Sequence, residues 1–223
     1  ICVITFSRRL MDEARKALPL RQISSVAFTS GVWPVYAYPD NKRVIALFLC
    51  PPGPAAIASA IEEIACRTRA GRFVLFGAAG SLNRLATTGR LILPTAVQGE
   101  DGVSRALFPE DEALPVVTVT ETQQFFSGLK IPYVCGKMWS SEALYYITPR
   151  IAAEKKLDGC LAVEMHLAAA QAVCAKHRWP LYAFFLPGDR MDGEHWEEDQ
   201  LQRANHAPES LEWALKLATN CLI

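Results

Sequence analysis

"CLAVEMHLAAAQAVCAKHRWPLYAFFLPGD", Cys160 to Asp189, sets an apolar run, an alanine-rich helical stretch and a second apolar run in close succession. "PLYAFFL" is dense in aliphatic and aromatic residues and short enough for a buried strand. Strand, helix and strand in that order mark a layered α/β domain rather than a bundle or a sandwich of sheets. Carboxylates stand at both ends of the stretch. Glu164 lies at the mouth of the helix, where the dipole favours a negative charge by about 0.3–1 kcal/mol. Asp189 follows the second strand across a Pro187-Gly188 turn. Read locally, Glu164 is a helix-start carboxylate, His166 a satisfied buried histidine and Asp189 a cap. Read as a site, all three line a pocket beyond strand ends, where open α/β sheets bind ligands. Local physics leaves both readings open.

The same alternation runs outward through the chain. "CVITF" reads as a strand leading into Ser7, an N-cap for the helical "RRLMDEARKAL". "WPVYAYPDNKRVIALFLC" reads as two strands joined at Pro39-Asp40-Asn41, which makes the sheet mixed rather than wholly parallel. Ile57, Ile61 and Ile64 fall on one face of a helix that starts near Gly53-Pro54. "RFVLF" and "RLILPTAV" read as strands on either side of a glycine-bearing loop. "PVVTVT" and "IPYVCGK" read as further strands, and a closing helix begins near Pro208. No repeat or linker divides the chain, so residues 1–223 are expected to form a single domain with helices on both faces of a sheet.

Composition narrows the function classes. Twenty-three basic and 23 acidic residues balance to zero net charge, which leaves no basic excess to neutralise a nucleic acid. No apolar run reaches the ~18 residues of a spanning helix. Seven scattered cysteines without a C-x-x-C pair suit a reducing, cytoplasmic setting, and the four dispersed histidines argue against a metal site. An acidic group at Asp192, Glu194, Glu197, Glu198 and Asp199 reads as a solvated face.

"VLFGAAGSLN", Val74 to Asn83, adds a third unusual strand end. Its two glycines could turn backbone N–H groups toward a small anion or sugar. The spacing is neither a dinucleotide fingerprint nor a P-loop.

Taken together, the ordered motifs resemble the purine-nucleoside/uridine phosphorylase superfamily, which includes the methylthioadenosine/S-adenosylhomocysteine nucleosidases. "FGAAGSLN" resembles the family's phosphate or water loop and "GRLILPTAVQGEDGVS" the strand and loop after it. "GKMWSSEALYY" resembles the base-binding segment, and "VEMH" the ribose-binding Glu-Met-Glu. The interval from position 166 to 189 sets Asp189 on the family's catalytic aspartate without a gap.

The resemblance implies a three-layer α/β/α sandwich around a mixed, partly barrel-like sheet, and a homo-oligomer. It implies N-glycosidic cleavage of a purine or pyrimidine nucleoside, with phosphate as co-substrate (a pentosyltransferase) or with water. No metal or organic cofactor is implied. Asp189 would donate to the leaving base, Glu164, Met165 and His166 would hold the sugar, and Trp139, Ser140, Ser141 and Leu144 would line the base pocket. Gly77, Ala78 and Gly80 would face the nucleophile, with Arg8 and Arg9 as phosphate cations.

Several family positions are changed. The second glutamate of Glu-Met-Glu is His166, a phosphate-touching hydroxyl is Ala78, and the arginine that often precedes that loop is Leu75. The usual base-pocket aromatic is Leu144 and the usual aspartate Glu142. Such changes point to an altered substrate, a hydrolytic reaction, or a paralogue that binds a nucleoside without cleaving it.

Overall fold

The computed structural model describes residues 1–39, 44–86, 89–109, 113–191 and 201–220. The chain runs β1 (Cys2–Thr5), α1 (Arg8–Ala17), β2 (Arg21–Phe28), β3 (Gly31–Pro39), β4 (Val44–Leu49), α2 (Pro54–Thr68), β5 (Phe73–Ser81) and β6 (Leu91–Gly99). It continues through α3 (Gly102–Leu107), β7 (Leu114–Pro115), α4 (Val119–Gly128), β8 (Tyr133–Ser140), α5 (Pro149–Leu157), β9 (Cys160–Glu164) and α6 (Leu167–His177). β10 (Leu181–Arg190), α7 (Leu201–Asn205) and α8 (Pro208–Asn220) complete it.

The sheet is mixed and partly closed. Its strands lie in the order β10-β6-β8-β9-β5-β1-β4-β3-β2, and β10 also pairs with β5. β5, β10, β6, β8 and β9 therefore form a closed ring, from which β1, β4, β3 and β2 extend as an open wing. β1 runs parallel to β4 and β5, while β3 is antiparallel to both β2 and β4.

Alternation along the strands makes two cores, one on each face. Cys2, Ile4, Leu75 and Phe185 point to the side covered by α2 and α6, where Ile57, Ile61, Ile64, Ala169 and Val173 meet them. Val3, Val74, Phe76 and Phe184 point to the other side, against Leu10 of α1, Phe126 of α4 and Leu211 and Leu215 of α8. Period-two burial in the strands and one apolar face per helix together give the helix–sheet–helix layering.

Helix starts follow their capping chemistry. Ser7 caps α1 by accepting from the Leu10 N–H, and Pro54 opens α2 behind a Gly53 at φ 116°. α8 begins at Pro208, as its sequence suggested.

Three sequence readings are corrected. "PVVTVT" is not a strand: only Leu114–Pro115 pair with the sheet, and α4 starts at Val119. Val117 is exposed, while the Thr118 hydroxyl donates to the Leu181 carbonyl and its own carbonyl receives the Thr122 N–H. Tertiary contacts override the β-branched propensity there. The glycine-bearing loop is part of β5 itself, and neither Gly77 nor Gly80 has a positive φ. Asp189 likewise lies inside β10, at a register shift between Pro187 and Arg190, rather than after a turn. β2 has no counterpart in the sequence reading; Val26 is its one fully buried residue. The hairpin joint at Asp40-Asn41 and the acidic group from Asp192 to Asp199 lie outside the described residues.

Candidate active site

Four strand ends meet over one cleft of about 330 Å³. β5 pairs with β10 through Ala78 and Ala79, and with β9 through Gly80 and Ser81. That pairing brings Gly77 and Gly80 beside Glu164 and Asp189. Thr5, Phe6 and Ser7, at the end of β1, form the next wall, and α7 closes the mouth with Gln202 and Asn205, followed by His206.

Glycine at position 80 has a packing cause. A Cβ there would lie 2.8 Å from Met191 Cε and 3.2 Å from Val163 Cγ1, and both of those residues line the cleft. At Gly77 the corresponding Cβ would meet only Phe6, 4.0 Å away, so its backbone borders the open cavity. Ala78 is half-buried beside it.

Glu164 joins the two readings of its sequence. Its Oε2 accepts from the backbone N–H groups of His166 and Leu167, the latter at 2.9 Å, so it holds the first turn of α6. Oε1 accepts from the Ser140 hydroxyl, whose oxygen in turn accepts the Ala168 N–H. The carboxylate is 6% exposed and still borders the cleft. Three donors on two oxygens leave one lone-pair site for a ligand hydroxyl.

His166 stacks on Phe6 with ring centroids 3.7 Å apart, and its Nδ1 is 3.7 Å from Glu164 Oε2. Its buried Nε2 has no hydrogen-bond partner among the described residues. Met165 lines the cleft between these two polar groups. Asp189, 2% exposed, brings a carboxyl group to the β10 side.

The structure brings together Gly77, Ala78, Gly80, Glu164, Met165, His166 and Asp189. It places the other sequence candidates elsewhere. Trp139 is buried in a small cluster with Ile147, Val163 and Met191, one layer behind the cleft, and Lys155 lies 5.5 Å from its ring centroid. Ser140 and Ser141 are buried; Ser140 holds Glu164, and the Ser141 N–H donates to the Glu164 carbonyl at 2.8 Å. Leu144 opens a short 3₁₀ turn, Leu144–Tyr146, and its side chain is outside the described residues. Arg9 is paired with Glu13 at 2.9 Å on the exposed face of α1, and the Arg8 guanidinium sits 5.7 Å from the Trp33 ring centroid. Neither arginine lines the cleft.

Sequence reasoning missed Phe6, Gln202, Asn205 and His206, and saw Ser7 only as a cap. The Ser7 hydroxyl lies 2.7 Å from His206 Nδ1 across 199 residues of chain, a pairing no local pattern could signal. A separate hollow of about 420 Å³ between α1 and α8 is walled by Leu10, Leu211 and Leu215, with Glu13, Glu212 and Lys216 also in its lining.

No curated protein matches the chain. Among solved structures it resembles the 5'-methylthioadenosine/S-adenosylhomocysteine nucleosidase of Neisseria meningitidis in complex with methylthio-immucillin-A. That match has a TM-score of 0.77 at 16% identity and covers 99% of this chain and 98% of that one. It also resembles the corresponding Helicobacter pylori nucleosidase, complexed with a pyrrolidinol bearing a pyrrolopyrimidine. Here the TM-score is 0.76 at 13% identity, covering 98% and 97% of the two chains. At these identities the likeness is one of fold. The family model described as the phosphorylase superfamily matches residues 1–222, and the chain belongs to that superfamily.

Proposed function

We propose that this protein cleaves the N-glycosidic bond of a nucleoside with water, rather than phosphate, as the nucleophile. The observation that carries the choice is the cleft's lining: among the described residues it holds two carboxylates and two histidines but neither Lys nor Arg. A phosphate dianion bound beside the Glu164 carboxylate would need a cation to offset the repulsion of like charges. Arg8 and Arg9, the sequence candidates for that role, are directed elsewhere. The two nucleosidases of the same fold support the reading.

In this scheme Asp189 gives a proton to the departing base as the bond to C1′ breaks. Glu164 and His166 hold the sugar hydroxyls, and Met165 packs on the ring. The backbone at Gly77 leaves room beneath C1′ for the water. A homo-oligomer belongs to the same proposal, and sedimentation measures it.

Base release from a panel of purine and pyrimidine nucleosides tests the reading. The expected result is release at one rate with and without phosphate. Release that requires phosphate would restore phosphorolysis. Binding without any release would mark a nucleoside-binding protein, a reading favoured by how fully Glu164 is engaged in holding α6.

A further inference from the structure

Hydrolysis needs a group that takes the proton of the attacking water, and neither carboxylate of the cleft is placed to do so. Asp189 serves the leaving base, and Glu164 already receives three hydrogen bonds while holding α6. His166 lies flat against Phe6 with Nδ1 turned toward Glu164.

Among the described residues that line the cleft, the remaining titratable group is His206, next to the end of α7, with Nδ1 2.7 Å from Ser7 Oγ. Ser7 is buried and lines the cleft, as does His206. A serine hydroxyl has one hydrogen to donate and two lone pairs. One lone pair receives the Leu10 N–H at 3.1 Å. With His206 in the tautomer that carries its proton on Nε2, the hydrogen has Nδ1 as its acceptor, and the second lone pair is open to a water in the cleft.

Placement supports the assignment. β1 and β10 flank β5, with Ile4, Leu75 and Ala183 side by side across the three strands. Two strand spacings of about 4.8 Å set β1 and β10 roughly 10 Å apart at that level. Ser7, His206 and Asp189 all line the one cleft, so a water held there can have an acid and a proton acceptor about it, as in glycosidases that use water directly.

We propose that Ser7 and His206 form a proton relay for the nucleophilic water, a role that rests on the hydrolytic reading above. The water oxygen bonds to C1′ as the C1′–N bond breaks, and the bond's electron pair stays on the base nitrogen, which takes the Asp189 proton. One water hydrogen passes to Ser7 Oγ while the Ser7 hydrogen passes to His206 Nδ1. The products are the free base, the sugar hemiacetal, an Asp189 carboxylate and a His206 imidazolium, which return to their starting states by proton exchange with solvent. Ser7 meets the water directly; His206 acts through Ser7 and is a positioning and proton-storing residue.

The test uses the full chain and base release without phosphate. His206→Ala is expected to lower kcat by about 10²–10⁴-fold with KM little changed, and added imidazole should restore part of the rate. Ser7→Asn keeps a capping oxygen for α1 but cannot pass a proton. It should lose a similar factor, fail to respond to imidazole, and add little to the loss in the double variant. Phosphate-independent release that His206→Ala leaves unchanged would overturn the relay alone. So would a loss that imidazole does not relieve and that adds fully to that of Ser7→Asn. Release by the unaltered protein only when phosphate is present would instead overturn the hydrolytic reading, and the relay with it.

Discussion

Ser140 donates its hydroxyl hydrogen to Glu164 Oε1 and accepts the N–H of Ala168, so one side chain ties the end of β8 to β9 and to the first turn of α6. The serine that the family resemblance would set against a base thus supports the residue proposed to hold the sugar. Ser140→Ala leaves a buried carboxylate oxygen and a helix N–H short of a partner. It is expected to cost about 1–3 kcal/mol of stability, read as a lower denaturation midpoint, and to weaken nucleoside binding through a misaligned Glu164.

Asp189→Asn keeps the shape of the side chain but removes the proton that the proposed reaction gives to the leaving base. Base release should fall by about 10²–10⁴-fold while nucleoside binding persists. Calorimetric binding beside single-turnover rates separates the two effects, and an unchanged rate would remove Asp189 from the chemistry.

Gly80→Ala places a methyl group 2.8 Å from Met191 Cε. Met191 is flexible at that end, but it lines the cleft and Val163 Cγ1 stands 3.2 Å from the same methyl group, so activity should drop together with a stability loss of about 1–3 kcal/mol from overpacking. Met191→Ala in the same chain should recover part of both. Stability and rate measured over the four combinations report the coupling.

Six described cysteines are free, and their reactivities should divide by burial. Cys66 is exposed and should be alkylated within the mixing period of a thiol reagent, whereas Cys2, Cys50 and Cys174 should react only as the protein opens. Burial pushes the Cys2 thiol from 9.0 up to about 12. A raised pKa in the folded state means that only the unfolded chain ionises between these values. Cys2 therefore contributes stability that is fully present below pH 9.0 and is lost as pH rises toward about 12. Urea midpoints across that range, compared with those of Cys2→Ala, measure it.

Much of the layering was legible because it depends on neighbours in sequence. Alternation in Cys2–Thr5, the Ser7 cap, Pro54 behind Gly53 and the helix face of Ile57, Ile61 and Ile64 all act within a few residues. The cleft was legible where the stretch from Cys160 to Asp189 set β9, α6 and β10 in order. It was illegible where a partner comes from far along the chain: nothing around "ANHAPES" points to Ser7. The valines of "PVVTVT" misled for the same reason, since a bond from Thr118 to β10 decides their conformation. The glycines of "FGAAGS" suggested a loop, although Met191, more than a hundred residues later, is what requires the one at position 80.

Closure of the five-strand ring has a mechanical meaning for ligand choice. Glu164, Asp189, Gly77 and Gly80 are mounted on strands that each have a neighbour on either side, so their mutual spacing cannot change unless a hydrogen-bonded ladder opens. The opposing wall is the five-residue α7, which belongs to no ladder. For the proposed nucleoside the sheet thus sets a fixed gauge, and α7 is the wall that bounds the rest of the ligand.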